Sequence, residues 1–183
     1  MSVARWLWLW LVAASSPGAV SGPARVVDGD TLVVTGVRVR LYGIDAPEHD
    51  QPCWNAAGAR YPCGQRVTQA LGAFLLGHEV TCLPEDTDPY GRTVARCFVG
   101  SVDVNRLLVR AGGAVAYTHY SRIYEADAAW ARARRVGAWS GVFDPPSRWR
   151  HLSKSDKAAR VREVERALRT APTCRDVGSG VRH

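Results

Sequence analysis

Three signals are missing from this chain. No CxxC pair and no His-rich tract gives the ligand spacing of a zinc site, although five cysteines and five histidines are present. No internal repeat is visible, which sets aside repeat architectures. No apolar run approaches the roughly 20 residues that a bilayer span requires; the longest, WLWLWLVAA, follows Arg5. Acid is the scarcer charge: 17 Asp and Glu stand against 24 Lys and Arg, a formal net charge of +7 with a pI near 9.5. That balance favours a polyanion, either nucleic acid or an anionic membrane face, with solubility alone as the plainer explanation. What remains is ordinary for a globular protein. The 183 residues are 46% hydrophobic and 22% charged, enough for one domain with a sizeable core.

The amino end reads as a targeting segment. Arg5 precedes the short apolar run, and SSPGAVSG follows with Ala19 and Ser21 at the spacing of a signal-peptidase site. Residues 1–21 are therefore expected to be a signal peptide outside the fold, and the protein to be exported, periplasmic or extracellular. An oxidising compartment makes disulfides the default for Cys53, Cys63, Cys82, Cys97 and Cys174. Cys53 and Cys63 bracket the polar loop CWNAAGARYPC. Cys82 and Cys97 lie on two β-like stretches, and a hairpin symmetric about Pro89–Tyr90 sets them opposite each other. The predicted pairs are Cys53–Cys63 and Cys82–Cys97, with Cys174 left as a free or intermolecular thiol.

Along the chain, ARVVDGDTLVV, the turn signal Thr35–Gly36 and VRVRLYG predict a three-strand meander. Val37, Val39 and Leu41 share one face, and Arg38, Arg40 and Tyr42 the other. Strict alternation would send Asp45 away from Arg40, so Gly43 is expected to bend the strand and re-aim its end. A loop over 47–64 leads to an amphipathic helix near 65–77, with Val67, Ala70, Leu71, Phe74 and Leu75 inward. After the cysteine hairpin, DVNRLLVRAGG predicts a short helix capped by Asp103 and stopped by Gly112, with Val104, Leu107, Leu108 and Ala111 inward. GAVAYTHYSRIY reads as strand or loop. A third helix is expected over 122–137 with Ala126, Ala129, Trp130 and Ala133 inward. DPPS reads as a breaker. A charged helix at about 155–169 should bury at most Ala158, Val161, Val164 and Leu168 and leave arginines such as Arg160 on the surface; the last dozen residues look disordered. Five short strands with three helices give an α+β pattern, and a closed barrel would spare the strand edges.

Several charges sit where a core is expected. Asp30, Asp45 and Glu48 fall at strand ends beside a loop, and hard oxygen ligands there suit Ca²⁺ or Mg²⁺. Alone, DGDT is as well explained by an Asp-Gly turn, and Asp28 reads as a turn or supporting residue. Arg40 weakens that plainer explanation, because an arginine inside a β-rich segment needs a partner if buried. DPYGR supplies turn formers at Asp88, Pro89 and Gly91, with Arg92 where the next strand begins. Three acids and two arginines around one metal form a set suited to phosphodiester cleavage. Cation and guanidinium groups offset charge in the transition state, and a carboxylate activates water.

These residues carry a resemblance. VVDGDT, VRLYGIDAPE, DPYGR and VNRLLVRAGGAVAY resemble the staphylococcal (micrococcal) nuclease family, in order and at similar spacing, over roughly residues 24–140. The resemblance implies a five-stranded OB-type β-barrel with three helices over 22–141, extended here by a helical segment and tail over 142–183. It implies a calcium-dependent endonuclease that hydrolyses phosphodiester bonds of DNA and/or RNA to 3′-phosphate products, working as a monomer without a membrane span. By motif, Asp30 and Asp45 correspond to the calcium carboxylates, and Ala46 to a position that binds the ion through its backbone carbonyl. Glu48 corresponds to the water-activating base, and Arg40 and Arg92 to the phosphate-binding arginines. Tyr90 and Tyr117 correspond to nucleotide-site aromatics, and Tyr120 is a weaker match because its spacing differs. Two departures stand out: Pro89 replaces a phosphate-contacting lysine, and the 47–64 loop carries two extra cysteines. Two other readings compete. One is a non-catalytic OB-fold module binding nucleic acid or protein, though such a module is expected to lose the acids or arginines; the other is a phosphodiesterase acting on a different phosphate ester.

Overall fold

The computed structural model describes residues 18–170. Five strands, β1 (Val20–Asp28), β2 (Thr31–Val34), β3 (Val37–Leu41), β4 (Glu79–Thr87) and β5 (Thr93–Val99), run in the order β3-β2-β1-β4-β5. β3 also pairs with β5 in parallel through Val39–Leu41 and Thr93–Ala95, which closes the barrel. Closure removes the unpaired edges that an open five-stranded sheet would expose. Alternation fills the interior: Leu32, Val34, Val39, Leu41, Val80, Cys82, Ala95 and Cys97 are all buried. Val37, expected on that face, is 37% exposed at the strand start. The Thr35–Gly36 turn holds both residues at positive φ, the geometry that joins two twisted strands tightly.

β1 starts earlier than the targeting reading allows. Val20 and Ser21 pair with Cys82 and Thr81, and the Ser21 hydroxyl donates to Thr81 Oγ1 at 3.0 Å. Excluding residues 1–21 from the fold is thus corrected, because residues 20 and 21 complete a barrel pairing. The apolar run and the rest of the expected leader, residues 1–17, lie outside the described residues, as do Cys174 and the last dozen residues.

Helix α1 (Cys63–Leu75) begins two residues before the expected start and buries Leu71 and Leu75, with Val67 and Phe74 packed beside them. Ala70 is exposed. Helix α2 (Val104–Arg110) is capped as expected, Asp103 accepting from the Arg106 N–H at 2.9 Å. Its inward face is rotated from the expected one: Val104, Asn105, Leu108 and Val109 are buried, whereas Leu107 and Ala111 are not. The reason is Asn105. It is 0% exposed, accepts from Cys97 N–H at 3.1 Å, and donates to the carbonyls of Tyr42 (2.9 Å) and Ala95 (3.2 Å). A polar side chain thereby ties α2 to β5 and to the end of β3. Helix α3 (Glu125–Ala133) is shorter than expected; it buries Ala131, half-buries Trp130, and leaves Ala126, Ala129 and Ala133 exposed. Tyr124, just before it, is the large buried anchor.

Two further helices follow a 3-10 turn at Gly137–Ser140. The expected breaker DPPS instead opens helix α4 (Pro146–His151), with proline at its first position, where a missing N–H costs nothing. Helix α5 (Lys154–Thr170) buries Val164 and half-buries Val161 and Leu168, while Ala158 is exposed. Both predicted disulfides are present, Cys53–Cys63 with Cα atoms 5.5 Å apart and Cys82–Cys97 with Cα atoms 4.0 Å apart. Among the described residues, no helix is long and apolar enough to cross a membrane.

Asn105→Ala leaves the Cys97 N–H and the Tyr42 carbonyl without partners, while the Ala95 carbonyl keeps the Tyr42 N–H at 2.8 Å. A loss of about 3 kcal/mol is expected, from a typical 1–3 kcal/mol per orphaned buried group. Urea denaturation with an unchanged m-value checks it, and a loss below about 1 kcal/mol would show that water replaces the side chain.

Candidate active site

The site is built where β1, β3 and the turn after β3 meet. Asp28 Oδ1 accepts from the Asp30 N–H at 3.1 Å, an Asx turn that aims Asp30 inward. Gly29 between them is required by close approach, since a Cβ there would lie 2.7 Å from the Ala46 Cβ. Past β3 the chain turns at Gly43, φ +70°, and Ile44–Asp45 pairs with Val115–Ala116. This bend carries Asp45 back beside Arg40, as the alternation argument required. The Arg40 fork donates through Nη1 to Asp30 Oδ1 at 2.8 Å and through Nη2 to Asp45 Oδ1 at 3.3 Å. The Ala46 N–H donates to Asp30 Oδ2 at 3.0 Å. Asp45 is 1% exposed, and its Oδ2 is buried without any hydrogen-bond partner among the described residues.

Asp30, Arg40 and Ala46 line a cleft of about 460 Å³ that also takes in Glu48, Tyr90, Arg92 and Tyr117, and Asp45 lies buried just behind its wall, bonded to Arg40. Every residue to which the sequence gave a metal, catalytic or nucleotide role therefore lines this cleft, except Asp45, which reaches it through Arg40. Arg92 is positioned by the turn: its Nε donates to Asp88 Oδ2 at 2.6 Å, while Asp88 Oδ1 accepts from the N–H groups of Tyr90 and Arg92. Burial works to raise the Asp88 carboxyl, but those hydrogen bonds outweigh it and hold Asp88 below its usual range. Tyr90 is 86% exposed at the cleft mouth. Pro89, standing for a lysine, lines the cleft without offering a charge. Tyr120 belongs to the cleft more firmly than its spacing indicated: it stacks on Tyr117 at 6.3 Å and its hydroxyl donates to Asp86 at 2.8 Å.

Glu48 is held from behind. Its N–H donates to Gln51 Oε1 at 3.2 Å, and its carbonyl accepts from the Gln51 N–H at 2.9 Å. The fully buried Gln51 donates in turn to the Asp144 carbonyl at 2.7 Å. Gly64, in the first turn of α1, lies so close beneath the Glu48 carbonyl that any Cβ there would collide with it. In front, Glu48 is engaged by a residue that the sequence did not single out. Arg150, from α4, donates through Nε to Glu48 Oε1 at 2.6 Å and through Nη2 to Asp45 Oδ1 at 2.6 Å. No sequence signal pointed to Gln51 or Arg150, because the contacts that bury the one and direct the other cross 93 to 105 residues of chain. Arg160 is likewise no bare surface arginine: its Nε donates to both oxygens of the buried Asp144 at 3.1 and 3.0 Å.

A cation would find hard oxygen donors at Asp30, Asp45 and the Ala46 backbone. Among the described residues no group of three or more His, Cys, Asp or Glu side chains converges as a closed cage. The fit is to a hard ion held by two carboxylates, with backbone oxygen and water completing its shell. The orphaned Asp45 Oδ2 supports that fit, since a buried unpaired carboxylate oxygen is costly unless something binds it. Asp30 points the same way. Burial pushes its carboxyl up to about 6 against the lowering pull of Arg40, so a further positive charge beside it would favour its ionised form.

A pH dependence of the metal-free protein follows. The folded Asp30 carboxyl titrates near 6 and the unfolded one near 3.8, so ionising it opposes folding, fully above the folded value and not at all below the unfolded one. Asp30→Asn removes that ionisation. Its stability relative to the natural protein, measured in chelator, should fall by about 3 kcal/mol as the pH drops through this window, at 1.36 kcal/mol per pKa unit. A pH-independent difference would contradict the burial argument.

The model of the staphylococcal nuclease homologue family matches residues 38–141, more than half of the chain. The chain is 36% identical over 163 residues to the succinoglycan biosynthesis protein ExoI of Rhizobium meliloti, covering 88% of this chain and 78% of that protein. It is 33% identical to an uncharacterized endonuclease of Escherichia coli O157:H7, over 69% of this chain and 82% of the relative. It is 32% identical to a micrococcal nuclease of Shigella flexneri, over 72% of this chain and 80% of that enzyme. With the closed barrel and the matching motifs at one cleft, these likenesses establish that the chain belongs to the staphylococcal nuclease family.

Proposed function

We propose that this nuclease is an exported, calcium-dependent endonuclease that hydrolyses phosphodiester bonds of DNA, RNA or both and leaves 3′-phosphate ends. The observation that carries the reading is the convergence of Asp30, Glu48, Arg40 and Arg92 on one cleft, with the buried Asp45 tied to it by Arg40 and its Oδ2 without a partner among the described residues. Ca²⁺ bound by Asp30, Asp45 and the Ala46 carbonyl would neutralise phosphate charge beside the scissile bond. Arg40 and Arg92 bind the phosphate and hold it more tightly as charge accumulates on its oxygens. Glu48, with its second oxygen outside any hydrogen bond among the described residues, accepts the proton of the attacking water. Tyr90, and Tyr117 with Tyr120 stacked on it, offer ring faces to the bases. Export is supported by two disulfides and by the leader-like amino end. All these residues come from one chain, so a monomer suffices.

The binding-only reading predicts a protein that retains nucleic acid without cutting it, and a zymogram with DNA and with RNA, in Ca²⁺ and in excess chelator, decides between the two. Cleavage should appear only with Ca²⁺ and disappear in Asp45→Ala. Undiminished cleavage in that variant or in chelator would remove Asp45 from the metal site.

Arg92 separates catalysis from scaffolding. Lysine at that position can still pair with Asp88 but cannot present a planar fork to phosphate. Arg92→Lys should lose about 10²–10³ in kcat, the usual effect of removing one preorganised donor. Its thermal midpoint should stay within a few degrees of the natural protein, a shift of under about 1 kcal/mol. Near-normal kcat with a lowered midpoint would reduce Arg92 to support of the hairpin. Arg162, exposed on α5, replaces Arg160 as the neutral control and should alter only salt dependence.

A further inference from the structure

Helix α4 is fixed to the barrel by contacts that leave Arg150 little choice of direction. Trp149 is buried and its Nε1 donates to Asp50 Oδ1 at 3.0 Å, with the Lys157 ammonium 5.2 Å from the ring centroid. Lys157 also bonds Asp50 at 2.9 Å, and the helix entry is tied to Gln51 through the Asp144 carbonyl. The next residue, Arg150, therefore projects into the cleft, and its fork spans the two carboxylates on which the proposed chemistry depends. Arg148, on the same short helix, is exposed and reaches only Asp144, at 3.9 Å.

Charge counting shows what that contact does. Asp30, Asp45 and Glu48 place three negative charges at the site, and Arg40 and Arg150 place two positive ones against them. These five leave one net negative charge, and Asp28, also on the cleft, adds another to attract a divalent ion. Of the two guanidinium groups on Asp45, Arg150 is the nearer, at 2.6 Å against 3.3 Å. Affinity for a hard cation depends strongly on the charge of its ligand set, and a guanidinium already paired with a ligand must be displaced or repelled.

We propose that Arg150, supplied by the segment beyond the nuclease barrel, is a further active-site residue: without nucleic acid it stands on Asp45 and Glu48 as a surrogate cation, and a divalent metal competes with it for the site. The proposal rests on Asp45 being a metal ligand, as inferred above. Its consequence is coupling. Metal alone binds weakly because Arg150 opposes it, and a phosphate entering the cleft offers that guanidinium another anion, so metal and substrate favour each other's binding.

The test is calorimetric titration of the full chain with Ca²⁺ alone, no nucleic acid present. Arg150→Gln keeps the stem and removes the charge, and should bind Ca²⁺ at least tenfold more tightly than the natural protein. Arg148→Gln removes a charge from the same helix and should change the affinity less than twofold. Arg150→Lys keeps the charge without the fork, should lie between the two, and serves if the glutamine variant does not fold. Adding Asp45→Asn to Arg150→Gln should abolish the gain. Calcium binding by Arg150→Gln no tighter than by the natural protein, in a variant with unchanged circular dichroism, overturns the role of Arg150 and leaves the metal assignment standing. Binding that survives Asp45→Asn, or no binding by any variant, overturns the metal assignment and the inference with it.

Discussion

The rest of the site depends on the Arg40 fork. Asp30 and Asp45 are 5% and 1% exposed. Two carboxylates that close would repel each other in a low-dielectric interior. Arg40 bridges one oxygen of each. Breaking such a buried pair from either side strands a charge, so the three residues are one unit, not three independent ones. The barrel is what lets the unit form. Arg40 comes from β3, Asp30 from the turn leaving β1, and Asp45 from beyond the Gly43 bend. The parallel closure of β3 on β5 fixes β3 from its second edge, and Asn105 secures the carbonyl of Tyr42 immediately beyond it. Rigidity here serves chemistry, because a phosphate clamp misplaced by an ångström loses much of its effect.

How much of this was legible in the sequence followed from the range of each interaction. Short-range constraints read well. The meander, the Gly43 bend, the Asp103 cap and the Cys82–Cys97 register are each set by residues within one hairpin or one helical turn. Arg40 and the three acids were found because they interrupt or end segments that otherwise predict a core, and Arg92 because it follows a turn where a strand begins. Residues whose partners lie far along the chain were invisible. Asn105 looked like a polar face residue of α2, yet it is the most tightly bonded side chain on that helix, and its burial turned the expected inward face away from Leu107 and Ala111. The alanines of α3 could not fix a face, because alanine is neutral between interior and surface. DPPS read as an end to structure because proline stops helices, although it also starts them.

The segment after residue 141 changes character once its contacts are known. As sequence it is a charged helix behind a breaker. In the fold it is bound to the 47–64 loop, with Trp54 and Val142 exchanging backbone hydrogen bonds at 2.9 Å and Asp144 held between Gln51 and Arg160. Three of its basic residues fix it: Lys157 on Asp50, Arg160 on Asp144, and Arg150 on the cleft carboxylates. The loop with the two extra cysteines is the other half of this arrangement, since the Cys53–Cys63 bridge braces the loop on which the extension lies. The cysteine-bearing loop and the C-terminal extension thus form one addition, placed behind and beside Glu48.

The central claim is that buried carboxylates and arginines assemble here around one cation and one phosphate. The most direct measurement is a crystal structure of the protein with Ca²⁺ and a short oligonucleotide carrying an uncleavable linkage. The account predicts the ion on Asp30, Asp45 and the Ala46 carbonyl, the phosphate on Arg40 and Arg92, and the Arg150 guanidinium moved off Asp45. An ion bound elsewhere, or a phosphate that avoids both Arg40 and Arg92, would contradict it.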